Sequence, residues 1–118
     1  MTETLILNLA DGSVSFPCSP ETAQVLHGEL EKLWSSLKTI AAHTNPPEGS
    51  PPSKPSPQPT LEFRHVGEVF LEVFCNPNIW PTPFAAKLLI TIRDDRIRVT
   101  TESVLNQMLE DLNLFLNP

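Results

Sequence analysis

KLLITIRDDRIRVTTESVLNQMLEDLNLFL, residues 87–116, is the stretch from which the fold can be argued. Leu88, Ile90 and Ile92 alternate with Lys87, Leu89, Thr91 and Arg93, the period of two of a half-buried strand. A two-residue loop at Asp94-Asp95 sets Ile92 across from Ile97 and Ile90 across from Val99, all on one side. Beyond them Leu105, Met108, Leu109, Leu112, Phe115 and Leu116 recur at three- and four-residue steps, an apolar helical stripe that needs a surface to sit on. The hairpin supplies that surface, so the stretch predicts strand, turn, strand and packed helix.

Residues 4–17, TLILNLADGSVSFP, predict a first hairpin. Asp11-Gly12 suits the two central positions of a type I′ turn, pairing Leu9 with Val14 and Leu7 with Phe16. A long helix follows, with Ser19 as its cap, Pro20 at the first helical position and Glu21 at the positive end of the dipole. Its stripe is Ala23, Leu26, Leu30, Leu33, Leu37 and Ile40, widened by Trp34, and it is expected to end near His43, ahead of Asn45-Pro46. Gly28 inside it suggests close packing against a strand. Residues 5–16 shifted forward by 83 fall on residues 88–99 with every inward position apolar. That fits an internal strand–strand–helix repeat, or the convergence of two similar hairpins.

Residues 44–60, TNPPEGSPPSKPSPQPT, hold seven prolines and almost nothing apolar. They read as a flexible linker of polyproline II character, in which Pro52 and Pro55 have the PxxP spacing of an SH3-type ligand. Residues 61–75, LEFRHVGEVFLEVFC, read as one strand bulged at Gly67 or as two short strands turning there. Val69, Leu71 and Val73 face one way, Phe70, Glu72 and Phe74 the other. Residues 76–83, NPNIWPTP, are a loop that carries Ile79 and Trp80. The predicted fold is a single α+β domain, residues 1–118, interrupted by the linker at 44–60. It has an antiparallel sheet of four to five strands with two helices on one face, in the order ββα–linker–β(β)ββα.

A chain of 118 residues with a net charge of −6 is not built for general affinity to nucleic acid or anionic membrane. No signal peptide or membrane-spanning run is expected, and cytoplasmic residence with reduced thiols follows. Cys18 and Cys75 are too few and too far apart for a disulfide scaffold and read as small buried hydrophobes. No P-loop, dinucleotide fingerprint, GxSxG or HExxH occurs, and His27, His43 and His65 have no second ligand at metal-type spacing. Glu29, Glu31 and Lys32, like Glu110 and Asp111, read as polar helix faces, and Asp94 and Asp95 as turn residues. No catalytic residue, metal or cofactor is assigned, and the expectation is a protein without enzymatic activity.

Two features point to a partner. Lys87, Arg93, Arg96 and Arg98 are half of the eight basic residues and project from the outward side of the last hairpin, where they suit an acidic protein surface. Phe70, Phe74, Ile79 and Trp80 need cover that helices on one face cannot give. Together they predict a protein-binding module, an adaptor or assembly factor, with Trp80 as the anchor. The alternatives are a homodimer joined through an edge strand or the aromatic face, and a small-molecule binder or an enzyme without a recognisable motif, with a pocket between sheet and helices.

Overall fold

The computed structural model of the protein describes residues 3–44, 49 and 56–118. The elements run β1 (Glu3–Leu9), β2 (Gly12–Cys18), α1 (Pro20–Thr44), β3 (Leu61–His65), β4 (Phe70–Cys75), β5 (Lys87–Arg93), β6 (Arg98–Val104) and α2 (Leu105–Leu116). A 3-10 turn at Pro77–Ile79 lies between β4 and β5. The order is ββα–ββββα, an α+β fold.

Where the sequence predicts one sheet of four to five strands, the protein has two: β1 pairs with β2 alone, and β3–β4–β5–β6 form an antiparallel meander. The reason lies on the open side of β1. There the Asn8 amide donates to Asp111 Oδ2 and the Asn8 Nδ2 to Asp111 Oδ1, both at 2.8 Å. A side chain of α2 takes the backbone donor that a neighbouring strand would have used. Asp111 also accepts from Gln107 Nε2 at 3.0 Å and is buried, so it is a strut rather than part of a polar helix face.

One core joins the first hairpin, both helices and strands β3, β4 and β5. Leu5, Leu7, Phe16 and Cys18 of the first hairpin meet Leu61, Phe63, Leu71, Val73, Leu88, Ile90 and Ile92 of the larger sheet. The helical stripes fill the space between, with Ala23 to Ile40 of α1 and Leu105, Met108 and Leu112 of α2 buried as their spacing predicts. Ser19 caps α1, its Oγ accepting from the Thr22 amide at 3.2 Å. α2 follows β6 without a loop. Its Val104 cap offers no side-chain bond, and the Leu105 amide donates to Ala86 O at 3.0 Å, pinning the helix start to the entry of β5.

Both hairpin registers differ from expectation by two residues. In the first, Leu9 pairs with Gly12, Leu7 with Val14 and Leu5 with Phe16, leaving Ala10-Asp11 as the loop. Neither loop residue takes a positive φ, which rules out type I′, and Gly12 alone carries a φ of 153°. In the second, Arg93 pairs with Arg98, Ile92 with Val99 and Ile90 with Thr101, so residues 94–97 form the loop and Ile97 is 64% exposed. Here Asp94 Oδ1 accepts from the Arg96 and Ile97 amides at 2.8 and 2.7 Å, closing the turn with a side chain. An even shift keeps every side chain on its face, so the apolar faces survive. With unequal loops the two strand–strand–helix units do not share a register, although their order recurs.

Residues 66–69 are a turn between two short strands, not a bulge in one, with the His65 ring beside Gly67. A Cβ at Gly28 would meet no heavy atom within 4 Å, so this glycine does not mark close packing. Most of the proline-rich linker, with Pro52 and Pro55, lies outside the described residues. Its two ends are structured: Thr44 belongs to α1, and Gln58 is clasped by Asn78 through bonds of 2.8 and 2.9 Å.

Candidate protein-binding face

The four-stranded sheet turns one set of side chains away from the core. Register places them in rows across the strands: Glu62–Phe74–Leu89–Glu102, then Arg64–Glu72–Thr91–Thr100, then Phe70–Arg93–Arg98, with Lys87 beside Val104 at the far end. Phe74, Leu89 and Val104 are 37, 46 and 40% exposed. These are large side chains on adjoining strands, and Phe74 and Leu89 are direct cross-strand partners. The alternation that buries Leu88 and Ile90 is what pushes Leu89 outward, because neighbours along a strand point to opposite faces.

Glu62 and Glu102 close the ends of the Phe74–Leu89 row, and the other charged residues of the face lie in the next two rows. Arg64 donates through Nε and Nη2 to Glu72 Oε2 at 2.9 and 2.7 Å, which ties β3 to β4. The Arg93 guanidinium lies 4.3 Å from the centroid of the Phe70 ring, so Phe70 is half-buried beneath a cation. Arg93 and Arg98 are direct cross-strand partners, an unfavourable juxtaposition of like charges that the contact with Phe70 relieves in part. At the turn, the Arg96 and Ile97 amides hold the Asp94 carboxyl below its ordinary pKa, and the Arg96 charge adds to the effect.

Of the residues singled out in the sequence, Phe70, Phe74, Lys87, Arg93 and Arg98 share this face, and Arg96 stands in the adjoining turn. Ile79 and Trp80 stand elsewhere. The 3-10 turn that holds Ile79 packs against α1, and Trp80 is half-buried against the core. Ile79 itself is exposed. Trp80 also hydrogen-bonds the Cys75 thiol, which burial nonetheless pushes up to about 11. Cys18 is raised for the same reason, and both cysteines are free and buried.

Three features escape the sequence reading. Leu89 and Val104 are apolar residues in the outward phase, and their only signal is that they break the polar alternation. Phe84 is 68% exposed with its ring edge-on to Trp34 at 5.1 Å and 85°, a pairing between a loop and a helix fifty residues earlier. A groove of about 930 Å³ separates the tip of the first hairpin, residues 8–13, from the β6 edge at residues 100–104. Its remaining walls are Lys87, Leu89, Asn106 and Gln107.

Among the described residues no group of three histidine, cysteine or carboxylate side chains is placed to hold a metal ion. No described helix is long and apolar enough to cross a membrane. His27 Nδ1 lies 3.0 Å from Glu31 Oε1 on one turn of α1. Compared with known proteins, the chain matches no family model, no curated protein and no solved structure.

Proposed function

We propose that the protein is a binding module without catalytic activity and that the outward face of the four-stranded sheet is its docking surface. In this reading both helices lie on one face of the sheet and leave the other to a partner. The observation that carries it is the strip Phe74–Leu89–Val104, exposed on adjoining strands, with Lys87 beside it, Glu62 and Glu102 at the ends of its row, and Arg93 and Arg98 on the same face two rows away. The partner's apolar side chains cover the strip while its carboxylates approach the three basic groups, which speed the encounter more than they add to affinity.

Leu89 is the residue to test, because it is central to the strip and exposed enough to be changed without touching the core. Partners captured by the wild-type protein are identified and purified, and their affinity is then measured by calorimetry against Leu89→Asp. The reading expects a loss of about 2 kcal/mol or more, roughly thirtyfold, from a variant that circular dichroism shows to be folded. Equal affinity for both proteins excludes this face as the docking surface.

A further inference from the structure

We propose that β6 is a self-association edge, on which a second copy of this chain pairs strand to strand about a two-fold axis at Thr100. Unlike the docking reading, this rests on the rim of the sheet and not on its face.

The backbone of β6 is half used. The Asp94 amide donates to Ile97 O at 2.9 Å and the Leu105 amide to Ala86 O at 3.0 Å, which fixes the phase of the ladder between β5 and β6. Hydrogen-bonded and non-bonded pairs alternate in an antiparallel ladder. Val99, Thr101 and Ser103 therefore spend their backbone groups on β5, while Arg98, Thr100, Glu102 and Val104 turn theirs to the open side. Among the described residues no backbone bond reaches that side from β1.

The other edges are less open, and on β1 the Asn8 amide is already taken by Asp111. β2 carries Pro17 opposite Thr4, a position whose missing N–H faces outward and cannot recruit a strand. β3 is only five residues long, with its Arg64 held by Glu72. β6 has seven residues, RVTTESV, with no proline, no bulge and three β-branched residues in a row. β1 packs against β6, and the groove of about 930 Å³ between the hairpin tip and this rim is where an added strand would enter.

Its sequence is complementary to itself. Antiparallel pairing centred on Thr100 sets Arg98 opposite Glu102 of the second copy and Glu102 opposite its Arg98, on the same side of the sheet. The residues that would exchange backbone bonds in this register are the ones whose groups are free. Opposite charges directly across a ladder are favourable and like charges unfavourable, so this register satisfies both ends at once.

Sedimentation velocity over a concentration series tests the proposal with four variants. Wild type is expected to show a dimer that dissociates on dilution. Thr100→Pro removes one outward donor and leaves the ladder to β5 intact, so it is expected to be a folded monomer. R98E and E102R each place like charges opposite one another and are expected to raise the dimer dissociation constant about tenfold. The double variant R98E/E102R restores opposite charges and is expected to return to near the wild-type value. A wild-type protein that stays monomeric at its highest soluble concentration overturns the proposal, as does a dimer unaffected by Thr100→Pro. Should Thr100→Pro fail to fold, the charge exchange decides: a double variant as weak as the single ones overturns the pairing.

Discussion

Two glycines show how differently the same atom can count. Gly12 has open space around it, yet its φ of 153° is one that side chains with a Cβ rarely adopt. Gly28 also has open space, but within a helix, where glycine costs about 1 kcal/mol relative to alanine. Gly12→Ala is therefore expected to destabilise by about 1–2 kcal/mol through backbone strain, and Gly28→Ala to stabilise by about 0.5–1 kcal/mol. Urea denaturation of both variants checks the pair. Opposite signs support the backbone assignment, and a neutral or stabilising Gly12→Ala contradicts it.

Among the elements, the joint between the first hairpin and α2 depends on one buried carboxylate. Asp111 accepts three hydrogen bonds, two of them from Asn8, 103 residues away in sequence. Asp111→Ala leaves the Asn8 amide without a partner beside the core and is expected to cost about 2–3 kcal/mol. In native-state hydrogen exchange the Asn8 amide is then expected to lose protection before the amides of β5. This joint was illegible in the sequence, because helical spacing gives a side chain's direction but not a partner on a remote strand. The helices themselves were legible from Ser19 and from their apolar stripes, as were the faces of every strand. Registers were not, since the Asp94 carboxylate and Gly12 move the turns by more than residue preference alone can show. The site was read in the same uneven way. Alternation puts Phe74, Arg93 and Arg98 on the outward face, whereas Leu89 and Val104 carry no signal beyond breaking the polar alternation, and no spacing shows that Trp80 packs on the core.

At the scale of the molecule, the fold joins two helices, a two-stranded hairpin and a four-stranded antiparallel sheet. Both helices and the first hairpin share a core with the inward phase of the larger sheet, while its outward phase carries the apolar strip and a row of basic groups on an otherwise acidic chain. Docking there is accordingly expected to be salt-sensitive in its association rate more than in its dissociation rate. The account depends on that face being open in solution, and thiol labelling tests it directly. Single cysteines are placed at Leu89 and at Ile90, adjacent residues on opposite faces of β5. Alkylation at pH 8 is then followed by intact mass, with Cys18 and Cys75 as buried internal references whose raised pKa keeps them protonated. Leu89→Cys is expected to react at nearly the rate of a free thiol, while Ile90→Cys and both native cysteines react only on unfolding. A cysteine at 89 as protected as one at 90 would show the outward face covered, and would contradict the account.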